Sequence, residues 1–131
     1  MFYQEDYLIR AINNMIKAVF LMIFGAQSCS NLADEIREDN ARELLLHLLV
    51  MIEVGKINEA ENLLFMAVEN KTDDNLKLGL TFYYYLNKRS DEFLKEHGFS
   101  RAEIEEGLGE LMAFYEKENI MDLVTGEKMD V

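Results

Sequence analysis

Apolar residues recur at spacings of three and four along nearly the whole chain, and the polar breaks between them divide it into helices. The sharpest pattern is Leu44 to Ala67, which reads as two amphipathic helices joined by a tight turn. Gly55 follows the first apolar run, where a glycine can take a left-handed conformation. Asn58 then stands as an N-cap with Glu61 three residues later. So short a connection predicts antiparallel helices. Ala60, Leu63, Leu64, Ala67 and Val68 share one face of the second helix.

Upstream, Met1 to Phe24 predicts one long helix with Leu8, Ile12, Met15, Val19, Met22 and Ile23 on its apolar stripe. Gly25 closes it, and a polar connection runs to Asn40. Within that connection Ser30 or Asn31 is placed to cap a short helical turn carrying Leu32, Ala33 and Ile36. Asn40 with Glu43 predicts the cap of the next helix. Downstream, Asp73 or Asp74 is placed to cap a helix holding Leu76, Leu78, Leu80, Phe82, Tyr83, Tyr85 and Leu86. A brief helix follows Ser90 or Asp91 and ends at Gly98. Ser100 with Glu103 forms an S-x-x-E capping box before a last helix from Arg101 to about Lys117, with Ile104, Leu108, Leu111, Met112 and Tyr115 inward. A single helical domain over 1–118 is expected, with 119–131 as a flexible acidic tail.

Composition strengthens this picture. The chain has no proline, few glycines and many good helix formers, and no alternating β-branched run competes. At 131 residues, half of them hydrophobic, one domain with its own core is expected. The class is all-α: five to six helices in an antiparallel helical-hairpin array packed around the long N-terminal helix. One cysteine, Cys29, excludes an internal disulfide and points to a cytoplasmic setting. As a nucleophile Cys29 would need a basic neighbour to hold the thiolate, and no histidine lies near it in sequence. The net charge of -12 opposes nucleic acid and anionic lipid as partners. From Asp91 onward there are 12 acids against 4 bases. A signal peptide would begin basic, whereas Glu5 and Asp6 come first. Arg10, Asn13, Asn14 and Lys17 interrupt any membrane span.

Two resemblances bear on the fold. Gly55, Ala60, Leu64 and Ala67 stand at the offsets of the tetratricopeptide repeat, with Leu44 where that family prefers tryptophan. The departures are His47 and Leu48 for Leu-Gly, Met51 for an aromatic residue, and Thr72 for the terminal proline. The likeness covers one repeat, and a lone repeat needs neighbouring helices to bury its faces. The phrases MFYQEDYLIR, FYYYLNKRSDEFL and FSRAEIEEGL resemble an uncharacterised all-helical family of small Firmicutes proteins, a domain of unknown function. That resemblance implies a bacterial cytoplasmic protein and carries no functional residues with it.

Candidate chemistry is sparse. Phe82, Tyr83, Tyr84 and Tyr85 occupy four consecutive helical positions and point around most of the circumference, so at least one should reach a second surface. Core with an exposed edge, a subunit interface and a ligand groove all accommodate that pattern. With Phe20 and Phe24 on the first helix, these aromatics form the expected interaction surface. His47 is the weaker candidate, either edging the core or lining a pocket near Tyr83–Tyr85. No HxxxH or CxxC pattern supports a metal, and no cofactor motif, phosphate loop or nucleophile elbow is present. The acidic run Glu103, Glu105, Glu106, Glu110 and Glu116 reads as a solvated face. The expectation is a non-enzymatic scaffold that binds protein, a homo-oligomer without nucleic-acid or membrane partners. A small-molecule-binding domain is the alternative.

Overall fold

The computed structural model describes residues 2–25 and 32–125. Among these lie seven α-helices: α1 (Phe2–Phe24), α2 (Asp39–Glu53), α3 (Ile57–Ala67), α4 (Asp73–Leu86), α5 (Asp91–Glu96), α6 (Arg101–Phe114) and α7 (Glu118–Thr125). A 3₁₀ turn, Leu32–Glu35, precedes α2. The described residues contain no strand, so the all-α class holds with one or two more helices than the apolar pattern suggested.

The helix at the centre is α4, not α1. It packs on α1, α2, α6 and the 3₁₀ turn. Nine of its residues are buried, among them Leu76, Leu78, Leu80, Phe82, Tyr83 and Leu86, which together circle its axis. A helix apolar on all sides belongs inside, and α4 has that character in a turn-by-turn sense. α1 lies on the outside against α4 and α7. Its core stripe is Ile12, Met15, Ile16, Val19 and Phe20. Leu8 and Met22, expected on that stripe, are exposed. A helix covered by neighbours on one side only can bury an arc, not its circumference.

α2 and α3 pack together across the turn at Gly55, whose φ of 87° lies in the left-handed region. The amides of Gly55 and Lys56 donate there to Ile52 and Met51 carbonyls. Ala60, Leu64 and Val68 on the inward face of α3 are fully buried, with Leu63 and Ala67 beside them half-buried.

Several caps differ from the sequence expectation. α2 begins one residue before Asn40, and Asp74 of α4 accepts the Glu38 and Arg37 amides at 2.7 and 3.1 Å. A carboxylate from a neighbouring helix thus serves where the local capping box was expected. α3 begins at Ile57, before Asn58; the Asn58 amide group instead donates to the Gly98 carbonyl, and Glu61 bonds elsewhere. Thr72, not Asp73 or Asp74, caps α4 by accepting the Asn75 amide at 3.1 Å. Ser90 and Ser100 cap α5 and α6 as expected. Ser30, Asn31 and Cys29 lie outside the described residues. α6 ends at Phe114, Glu116 takes a left-handed φ of 58°, and the chain turns into α7. Helix therefore continues beyond Asn119 as far as Thr125, with Ile120 and Met121 packed against the core.

One buried cation ties the elements together. Arg101, at the start of α6, donates to the Asn87 carbonyl and side-chain oxygen, to the Arg89 carbonyl and twice to Asp91. That occupies all five guanidinium donors. The Asn87 side chain in turn donates to the Ile9 carbonyl at 2.9 Å and to Asn13 Oδ1 at 3.0 Å. The end of α4, the starts of α5 and α6 and the middle of α1 meet in one satisfied network.

Candidate functional site

The aromatic run of α4 divides between core and surface. Phe82 and Tyr83 are fully buried, and their rings meet edge to face at 5.0 Å. Because α4 is enclosed on nearly all sides, neither presents the interaction surface expected of it. Phe20, also expected on that surface, is fully buried, and Phe24 is half-buried with its ring 5.1 Å from that of Phe20. Tyr84 and Tyr85 remain half-buried, ring to ring at 5.5 Å, and these two do reach the surface.

Tyr83 has a specific partner. Its hydroxyl donates to Glu61 Oε2 of α3 at 2.5 Å. Gly107 of α6 closes over the pair, and a Cβ at that position would collide with both the tyrosine hydroxyl and the carboxylate. Burial raises the Glu61 carboxyl above its ordinary range; the Tyr83 hydrogen bond opposes this, and Glu110, Glu103 and Glu106 of the facing helix add to the rise. Burial and the Glu61 charge together push the Tyr83 hydroxyl strongly upward. Tyr115 behaves similarly: burial and then Asp73 raise it, and its hydroxyl donates to the Thr72 carbonyl at 2.9 Å. A tyrosine held protonated against a carboxylate is a structural clasp between helices.

The half-buried tyrosines sit among cations. Lys88 Nζ lies 4.5 Å from the Tyr84 ring centre and 3.5 Å from its hydroxyl, and Lys17 Nζ of α1 lies 6.0 Å from the same ring. Beside them a shallow depression of about 260 Å³ is lined by Leu49, Ile52, Glu53, Tyr85, Lys88 and Arg89. Ligand sites are usually larger and more enclosed. Arg89 and Glu53 form an ion pair across its rim. His47, the other expected pocket residue, is exposed on α2 and does not line this depression. Tyr83 and His47 are therefore not brought together: one is in the core and the other faces water. Among the described residues no group of three histidine, cysteine or acidic side chains converges as a metal site would require.

The larger exposed features are apolar. On α2 and its C-cap, Leu46, Val50 and Val54 point outward, opposite the buried Ala41, Leu45, Leu48 and Ile52. On α1, Tyr7, Leu21 and Met22 are exposed. The segment Asp6–Phe24 is long and apolar enough to cross a membrane by length and composition, with a mean hydropathy of 1.4. The α2 stripe was missed in the sequence because the run LLLHLLVM is apolar on two sides, and only one was assigned. Arg101 and Asn87 were missed because nothing in the local sequence distinguishes a buried arginine from a surface one.

No curated protein and no solved structure matches the chain. The family model that does match covers residues 2–116, all of α1 to α6 together with the aromatic run and the Arg101 network. The chain belongs to that family, DUF6483, a family of unknown function.

Proposed function

We propose that this protein is a small cytoplasmic helical scaffold, non-enzymatic, that mediates protein–protein contact and associates with itself. The observation that carries the proposal is the outward stripe of α2 and its C-cap: Leu46, Val50 and Val54, four residues apart, are 65%, 60% and 61% exposed. Three large apolar residues in line on an exposed face mark an interaction surface rather than scattered surface hydrophobics. A stripe along one helix suits an isologous contact, in which the same face of two copies meets across a two-fold axis. The paired helices α2 and α3, with their tetratricopeptide-like spacing, support the reading, since such pairs work by presenting faces. The net charge of -12 favours a protein partner over nucleic acid or an anionic bilayer.

Light scattering coupled to size exclusion over a range of concentrations tests this. The expected result is a concentration-dependent dimer for the native chain and a monomer for the double variant Leu46→Glu/Val50→Glu, with thermal stability unchanged. Because the two copies repel, added salt should strengthen the dimer. A native chain that stays monomeric at every concentration would overturn the proposal.

A further inference from the structure

Charge in this protein is segregated. The chain has 25 acidic residues, yet none lies between Tyr7 and Gly25 or between Asn75 and Ser90. Those two segments hold most of α1 and α4, which pack on each other. They carry Arg10, Lys17, Lys77, Lys88 and Arg89, five of the 13 basic residues. Two of the five are already matched: Lys77 lies 3.9 Å from Asp74, and Arg89 pairs with Glu53. Arg10, Lys17 and Lys88 have no carboxylate partner among the described residues. Lys17 and Lys88 instead share the ring of Tyr84 at the seam between the two helices. Two like charges drawn to one ring repel each other, and an anion placed between them relieves that repulsion.

The exposed side of α1 next to this seam is shaped for a helix. Tyr7, Ala11, Asn14, Ala18 and Leu21 follow one another at spacings of four, three, four and three, which is the stripe that meets a partner helix in knobs-into-holes packing. Tyr7, Ala11, Asn14 and Leu21 are exposed and Ala18 is half-buried. The small residues in the middle permit close approach, and Tyr7 and Leu21 supply apolar ends. Arg10 and Lys17 border the stripe at flanking positions, where the charge of a partner helix is read.

We propose that this α1/α4 face is a docking site for an acidic amphipathic helical segment of another protein. Its apolar residues lie along Tyr7–Leu21, and its glutamates or aspartates meet Arg10, Lys17 and Lys88. The charge pattern selects this occupant. A second copy of α1, laid antiparallel about Asn14, sets Arg10 against Lys17 of its twin, a like-charge pairing at both ends. A bilayer or nucleic acid brings an extended array of phosphates against the rest of an acidic body. A single acidic helix meets the basic seam and little else. The site is independent of the α2 stripe.

The test is a selection of helical peptides from a random display library on the immobilised full chain, followed by fluorescence anisotropy with the enriched peptides. Expected is enrichment of peptides with acidic residues flanking an alanine or leucine stripe. Their binding should fall about tenfold or more in Lys17→Glu/Lys88→Glu, weaken with salt, and persist in Leu46→Glu/Val50→Glu. Both lysines are surface residues, and an unchanged thermal midpoint verifies that the variant is folded. Enrichment of neutral or basic peptides, no enrichment at all, or binding indifferent to the lysine reversals would overturn the proposal. So would lysine-dependent binding of phosphatidylglycerol vesicles or duplex DNA without acidic-peptide enrichment, which would assign the face to a phosphate surface.

Discussion

α1 and α4 look alike in composition and play opposite parts. Both are long apolar runs with aromatic residues and a single lysine each, and both put apolar groups on more than one side. Yet α4 is enclosed by α1, α2, α6 and the 3₁₀ turn, whereas α1 packs, among the described residues, chiefly against α4 and α7. The surplus apolar surface of α4 became core; that of α1 stayed at the surface as Tyr7, Leu21 and Met22. What separates the two is the number of neighbours, and periodicity within a single helix does not encode it. Apolar character all round therefore marks either the middle of a fold or a face that meets something else.

Substitutions sharpen or break this comparison. The largest effect is expected for Tyr83→Ala on α4, which empties a fully buried site and removes the Glu61 hydrogen bond. Chemical denaturation should show a loss of about 3–5 kcal/mol. Asn87→Ala, at the end of the same helix, strips the side-chain acceptor Oδ1 from Arg101 and removes the amide group that donates to Ile9 and Asn13 of α1. A loss of about 2 kcal/mol is expected by the same measurement. Glu61→Gln tests the clasp through pH. The folded protein holds the Glu61 proton more tightly than the unfolded chain does, so native stability falls as pH rises from the ordinary glutamate value through the raised one. The glutamine variant should lack that component of the slope in denaturation midpoints measured across the window. At the small end, Met22→Ala on α1 should change stability by no more than about 0.5 kcal/mol. A cost there matching that of Tyr83→Ala would erase the distinction between the helices.

Much of the fold was legible because helix ends leave local marks. Ser90 and Ser100 cap where expected, and Gly55 turns where expected, since each acts on amides or dihedrals within a few residues. The inward faces of α3 and α6 were legible for the same reason. What failed was every inference that depended on a distant partner. Asn40 and Asn58 look like caps, but Asp74 from α4 and the pull of Gly98 on Asn58 decide those ends. Glu61 looks like half of a capping box, while its partner Tyr83 is 22 residues away. His47 and Tyr83 seemed fit to line one pocket only until burial separated them. The basic seam was visible in principle as two acid-free stretches, but their adjacency is a tertiary fact.

The Arg101 network carries a consequence for how the molecule is made. α1 precedes its main partners in the chain: α4 begins at Asp73 and α7 at Glu118. Its carbonyl at Ile9 waits for Asn87, and Asn87 waits for Arg101. A segment apolar enough to pass for a membrane span thus stays without its native neighbours through most of translation. Within this chain α1 thus precedes the elements that cover it, and its apolar face can be buried only once α4 and α7 have been made.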